Sequence, residues 1–213
     1  MSTMTTITHD THPSTTDAPR PTSAPPTWPP PARWARWSAY AVAAWALAFA
    51  GVNLYLQFGG LSADNPLRDA FGAMTVMNLL VAVLKVAGAA FAVATVQRWG
   101  RRAPRWLLTA AMWTAGGLLL LYAGMNLGML VATGQVTAAL PLAGGQFVVP
   151  GWAYAAFFGV PGLLYAAAGR DYQRRSRTDA RWALLGLLGA PVMLGTVLFG
   201  VPALLRLAGL LPG

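Results

Sequence analysis

Twenty-six consecutive residues, Phe71 to Val96, read FGAMTVMNLLVAVLKVAGAAFAVATV and contain one charge, Lys85, the single lysine of the 213-residue chain. As a helix this run is about 39 Å long at 1.5 Å per residue, against a hydrocarbon core of about 30 Å. A soluble core helix has no need of such length, so the run predicts a transmembrane helix. It is preceded by LSADNPLRD, in which the charges nearly cancel, and followed by QRWGRRAPRW, with Arg98, Arg101, Arg102 and Arg105. By the positive-inside bias the helix enters from the outer side and ends in the cytoplasm.

Four further apolar runs extend the pattern, giving expected spans of 37–57, 71–96, 106–131, 148–168 and 182–204. RWARW precedes the first, with Arg33 and Arg36 holding it inside and Trp34 and Trp37 suited to the headgroup level. Asn65-Pro66 and Gly59-Gly60 mark a turn before the second span, and Pro104 ends the second-to-third link. RDYQRRSRTDAR forms another basic link before the fifth span. With the N-terminus inside, twelve basic residues fall on the inner side and two, Arg68 and Arg206, on the outer side. The expected fold is an all-α integral membrane bundle of about five spans in a bacterial cytoplasmic membrane, its C-terminus outside. The first span reads as an uncleaved signal anchor, because its small residues lie inside the apolar run rather than after it.

Residues 1–32 are rich in threonine and proline and show no apolar periodicity, so a disordered cytoplasmic tail is expected ahead of a membrane domain at 33–213. Links 97–105 and 169–181 are strongly basic, whereas 132–147 is uncharged and turn-rich, which fits an outer loop near the membrane or a re-entrant segment. Pro161 lies inside the fourth span, where a kink or a break of the helix is expected, and the fifth span carries Pro191 and Pro202.

Composition excludes several classes. Charged residues are 10 % and hydrophobic residues 56 %, against about 25 % charged in an average soluble domain. The net charge of +9 comes from arginines beside apolar runs, so it reads as membrane topology and lipid contact rather than nucleic-acid binding. There is no cysteine, and both histidines, His9 and His12, lie in the tail, so no cofactor or metal site is expected in the membrane. HExxH, GxSxG, CxxC and Walker motifs are absent, and Ser38, at a span edge, is the one serine available to an intramembrane hydrolase.

Lys85 is the expected focus of any site. A lysine at mid-bilayer costs about 2.5 to 3.5 kcal/mol on an insertion scale and usually faces the bundle or a water-filled cavity. The spans contain no Asp or Glu to pair with it. Asn78 shares its helix face about 10 Å nearer the outer surface, while Asn53 and Asn126 fall at similar heights on the first and third spans. Tyr122 lies one turn from Asn126. Lys85, Asn53, Asn78, Tyr122 and Asn126 therefore describe either a polar vestibule for a small anionic or polar solute, or ordinary interhelical hydrogen bonding worth about 0.6 to 2 kcal/mol per contact.

Small residues offer close helix packing at Gly124 and Gly128 and at Gly88 and Ala92, within the bundle or in an oligomer. FFGVPGLL at 157–164 and LFGVPALL at 198–205 match locally without extending into a repeat. The expected role is a structural or accessory component of a membrane assembly, with lipids and another copy or membrane protein as partners; the alternative is a permease or channel-like protein.

The hairpin from Leu79 to Gly124, carrying Lys85, Trp99, Gly100, Arg101, Arg102 and Pro104, resembles one found in an uncharacterised family of small multi-pass membrane proteins of high-GC bacteria. That resemblance implies an integral membrane protein and implies no particular activity.

Overall fold

Long apolar runs become long helices. The computed structural model describes residues 28–58, 71–142, 147–207 and 209. Helix α1 spans Arg33–Phe58, α2 Phe71–Val96, α3 Arg105–Ala132, α4 Gly151–Ser176, α5 Ala180–Gly195 and α6 Val201–Leu207. Among the described residues four stretches are long and apolar enough to cross a membrane, Arg33–Tyr55, Asn78–Val96, Arg105–Ala132 and Gly151–Ser176, and the shorter α5 is apolar as well. The outward faces carry large apolar side chains; Val83 and Leu163 in these stretches and Leu188 and Val192 in α5 are each more than half exposed. Such a surface is suited to lipid and would be an aggregation hazard in water. The chain is a multi-span helical membrane protein.

The inward faces are made of small residues. Ala35, Ala39, Val42 and Ala46 of α1 recur at alternating four- and three-residue steps and are buried, as are Ala82, Ala89 and Ala92 of α2. Phe49 and Asn53 continue the first seam, and Asn78 and Lys85 belong to the second. Alanine lets the two helices approach closely, which is how helices associate where lipid removes the hydrophobic drive. Met112 of α3 and Tyr165 and Ala168 of α4 complete this core.

Helix α3 packs between α4 and α5. At Gly116 an added Cβ would lie 3.1 Å from the Gly162 carbonyl oxygen, and at Gly186 it would lie 2.5 Å from that of Ala110. Thr114 Oγ1 donates to the Gly186 carbonyl at 2.9 Å, across the second of these crossings. Gly88 is also used, since its Cβ position falls 2.8 Å from the Tyr165 hydroxyl. Among the described residues nothing lies within 4 Å of a Cβ added at Gly124 or Gly128, so this pair is not used for helix packing there.

Between α2 and α3 the chain makes a 3₁₀ turn, Trp99–Arg102, around buried Gly100. Helix α4 continues to Ser176, past the expected limit at 168 and through much of the arginine-rich segment. Arg175 explains the extension: its Nε donates to Asp171 Oδ2 at 2.6 Å, an i,i+4 pair, and its Nη2 to the Thr95 carbonyl at 2.9 Å. The second bond also satisfies a carbonyl at the end of α2. Arg177 adopts φ 51° to close α4, and Asp179 caps α5 by accepting from the Arg181 amide at 3.0 Å.

Within 132–147 the described residues after Ala132 form turns and strand. Ala139–Leu142 (β1) pairs antiparallel with Phe147–Pro150 (β2), with Ala139 opposite Pro150 and Leu142 opposite Phe147. Helix α4 thus starts after a strand, later than the expected 148, and its first amides are satisfied from the hairpin base: Gly151 N donates to Ala138 O at 3.1 Å and Trp152 N to Val136 O at 2.9 Å. A two-stranded ribbon has open edges that hydrocarbon cannot satisfy, so it belongs outside the apolar layer.

The two related proline segments behave differently. Pro161 is buried within a continuous α4, whereas Pro202 follows a π turn, Thr196–Gly200. Val201 N donates to Thr196 O, five residues back, the wider turn that accommodates the amide missing at Pro202. Sixteen residues of α5, five of the π turn and seven of α6 follow without a gap.

Residues 1–27 of the expected disordered tail, including His9 and His12, and the 59–70 link with Arg68 lie outside the described residues. The last part of the tail departs from the expectation. Trp28 stands against Tyr172 of α4, with ring centroids 6.0 Å apart, and the Arg105 guanidinium lies 4.7 Å from its ring centre. An indole face between an aromatic ring and a cation is a sufficient anchor for this short segment.

Candidate functional site

Lys85 meets an aromatic ring. Its Nζ lies 3.2 Å from the centre of the Phe49 ring on α1. The two residues share a depth by chain geometry: Phe49 is thirteen residues from Arg36 and Lys85 thirteen from Arg98, and both arginines line one pocket at the end of the bundle. The ring quadrupole stabilises the ammonium in an apolar layer without a carboxylate, a contact worth about 0.5 to 2 kcal/mol.

Phe49 is the edge of a larger cluster. Its centroid is 5.4 Å from that of Trp45, 5.2 Å from Phe157 and 5.8 Å from Phe158. Phe158, buried at the centre, also meets Tyr122 edge-on at 4.8 Å and Tyr154 at 5.4 Å. Helix α1 contributes Trp45 and Phe49 one turn apart, α4 contributes Tyr154, Phe157 and Phe158 on neighbouring turns, and α3 contributes Tyr122. The rings therefore form a layer across the bundle, with Lys85 at its α2 side.

This layer brings together two of the five expected residues, Lys85 and Tyr122. The Tyr122 hydroxyl lies 3.3 Å from that of Tyr154, and so pairs across to α4 rather than toward Lys85. Asn126 turns its Nδ2 back to the Tyr122 carbonyl of its own helix at 2.8 Å. Asn53 is partly buried one turn beyond Phe49, and Asn78 is partly buried and partnered. Among the described residues, no three of His, Cys, Asp and Glu gather as a metal site. The arrangement holds a charge within the bundle.

Sequence reasoning missed the rings as partners for Lys85. The available signal was the spacing of Trp45 with Phe49 and of Tyr154 with Phe157 and Phe158, aromatic pairs on single helix faces in spans facing a lone mid-bilayer cation.

Space opens elsewhere. A cavity of about 410 Å³ at the arginine end is lined by Trp28, Arg36, Tyr40, Arg98, Arg101 and Arg175 among others, and a second of about 590 Å³ by Trp113, Arg170, Gln173, Arg174 and Arg177. Neither is lined by Lys85, Tyr122 or the three asparagines. Arginines from α1, the α2–α3 link and α4 thus converge on one end of the bundle.

No protein-family model, curated protein or solved structure matches the chain.

Proposed function

We propose that the protein is a five-span accessory or structural component of a bacterial cytoplasmic membrane assembly; the resemblance over Leu79–Gly124 is in keeping with an integral membrane protein. The N-terminus and arginine end face the cytoplasm and the C-terminus lies outside. The fifth crossing is made by α5, the π turn and α6 in succession. One observation carries the accessory role: the mid-bundle layer is filled by packed rings, with Lys85 held on Phe49. A solute path past Lys85 would require that layer to open.

The partner surface is the α3 face around Gly124 and Gly128, where among the described residues no atom approaches the Cβ positions and Met125 and Met129 are exposed. Close backbone approach there suits a helix of a second copy or of another membrane protein. Gly124→Ile with Gly128→Ile should leave the purified chain folded and reduce a stoichiometric complex to the single chain, read as mass in nanodiscs. Vesicles containing only this chain should pass no small anion or polar solute above the protein-free rate. Solute-dependent flux in such vesicles would reject the accessory role in favour of a permease, with Lys85 as its cation.

A further inference from the structure

The arginine-end cavity holds more positive charge than the fold uses. Arg175 is committed to Asp171 and the Thr95 carbonyl. Arg36, Arg98 and Arg101 line the same space, and none is within ion-pair distance of a carboxylate among the described residues. The guanidinium carbons of Arg101 and Arg105 lie 5.9 Å and 4.7 Å from the Trp28 ring centre, so the indole braces a further cation at the rim.

Tyr172 backs the cavity wall and is 2 % exposed, with its hydroxyl buried behind that wall. Tyr40, at the wall and exposed, accepts from Gln97 Nε2 at 2.7 Å, which leaves its own O–H free to donate. Guanidinium forks and the Tyr40 hydroxyl around a 410 Å³ space are complementary to a multi-oxygen anion rather than to a cation or an apolar ligand.

We propose that this cavity binds a phosphate group, with Arg36, Arg98 and Arg101 supplying charge and Tyr40 supplying a hydroxyl donor. The phosphate belongs to an anionic lipid headgroup or to free phosphate; basic pockets between membrane helices suit the former. This inference does not depend on the accessory role, because it concerns a different site.

The test uses the full chain purified in dodecylmaltoside at constant ionic strength. Dioleoylphosphatidylglycerol and, separately, inorganic phosphate are titrated while the thermal unfolding midpoint is followed. A saturable rise is expected, with half-saturation weakened at least tenfold in Arg98→Gln/Arg101→Gln. The charge-matched Arg170→Gln/Arg174→Gln, outside this cavity, should stay within twofold of the unsubstituted protein. Saturation with phosphatidylglycerol alone assigns the lipid headgroup, and saturation with inorganic phosphate assigns the free anion. If the glutamine pair does not elute as a single species, Arg98→Lys/Arg101→Lys replaces it, with a threefold or greater weakening expected from loss of the planar fork. The proposal is overturned if neither probe gives a saturable rise, or if the control pair weakens it as much as the cavity pair.

Discussion

Gly100→Ala is expected to remove most of the folded protein from a detergent extract. The added Cβ would fall on the carbonyl group of Ala94, in the last turn of α2, and this obstacle is backbone rather than a side chain that can rotate. The surroundings cannot give. Gly100 is buried within a four-residue 3₁₀ turn, its carbonyl accepts from Ala103 N at 3.2 Å, and Pro104 follows directly. Relief would require α2 and α3 to separate at the arginine end, so the cost should exceed about 3 kcal/mol, beyond ordinary overpacking. Gly124→Ala offers the comparison. Among the described residues no atom lies within 4 Å of its Cβ position, and alanine in a helix interior gains about 0.5 to 1 kcal/mol over glycine. Yield of the single-species elution peak and the unfolding midpoint in a denaturing detergent titration should fall sharply for the first variant and hold or rise for the second.

Phe49→Ala should destabilise the bundle, and Lys85→Met should partly rescue it. Truncation of a fully buried Phe typically costs about 3 to 5 kcal/mol, and half-buried Phe49 should fall toward the lower end; the change opens space beside Trp45, Phe157 and Phe158 and strands an ammonium in the apolar layer. Lys85→Met alone loses about 0.5 to 2 kcal/mol of cation–π attraction but keeps an unbranched stem, and removes an insertion cost of about 2.5 to 3.5 kcal/mol. Its membrane insertion should therefore improve while the bundle stays folded. Without the charge, Phe49→Ala leaves a cavity but no stranded cation, so the double variant should be more stable than the sum of the singles by about 1 to 2 kcal/mol. Strict additivity in that cycle would mean that the ring does not stabilise the ammonium.

The spans were legible because apolar length is a one-dimensional property. Phe71–Val96 is a helix with the bounds read from its sequence, and 106–131 differs by one residue at each end. The end of α4 was not legible, because Arg170, Arg174 and Arg175 suggested a solvated link, whereas Asp171 and the exposed end of α2 give Arg175 reasons to remain helical. Likewise, 1.5 Å per residue fixed the depth of Lys85 but not its neighbours. Which helix lies beside α2 depends on tertiary packing, so the Phe49 contact and the turning of Asn126 onto its own backbone emerge only in three dimensions. The same limit applied at the cytoplasmic side of the proposed topology, where arginines read simply as a charge bias converge from three segments on one cavity.

The central claim, a bundle that crosses the membrane with its arginine end in the cytoplasm, is tested most directly by single-cysteine labelling. The chain contains no cysteine, so each introduced thiol is read without background. Thr137→Cys lies near the β-hairpin and Ala180→Cys at the start of α5, both at exposed positions, and Gly213→Cys marks the C-terminus. A membrane-impermeant maleimide applied to intact bacterial cells, with the outer membrane opened where there is one, should label Thr137→Cys and Gly213→Cys. Ala180→Cys should react only after the cytoplasmic membrane is permeabilised. Labelling of Ala180→Cys in intact cells, or protection of Gly213→Cys, would contradict the five-span orientation.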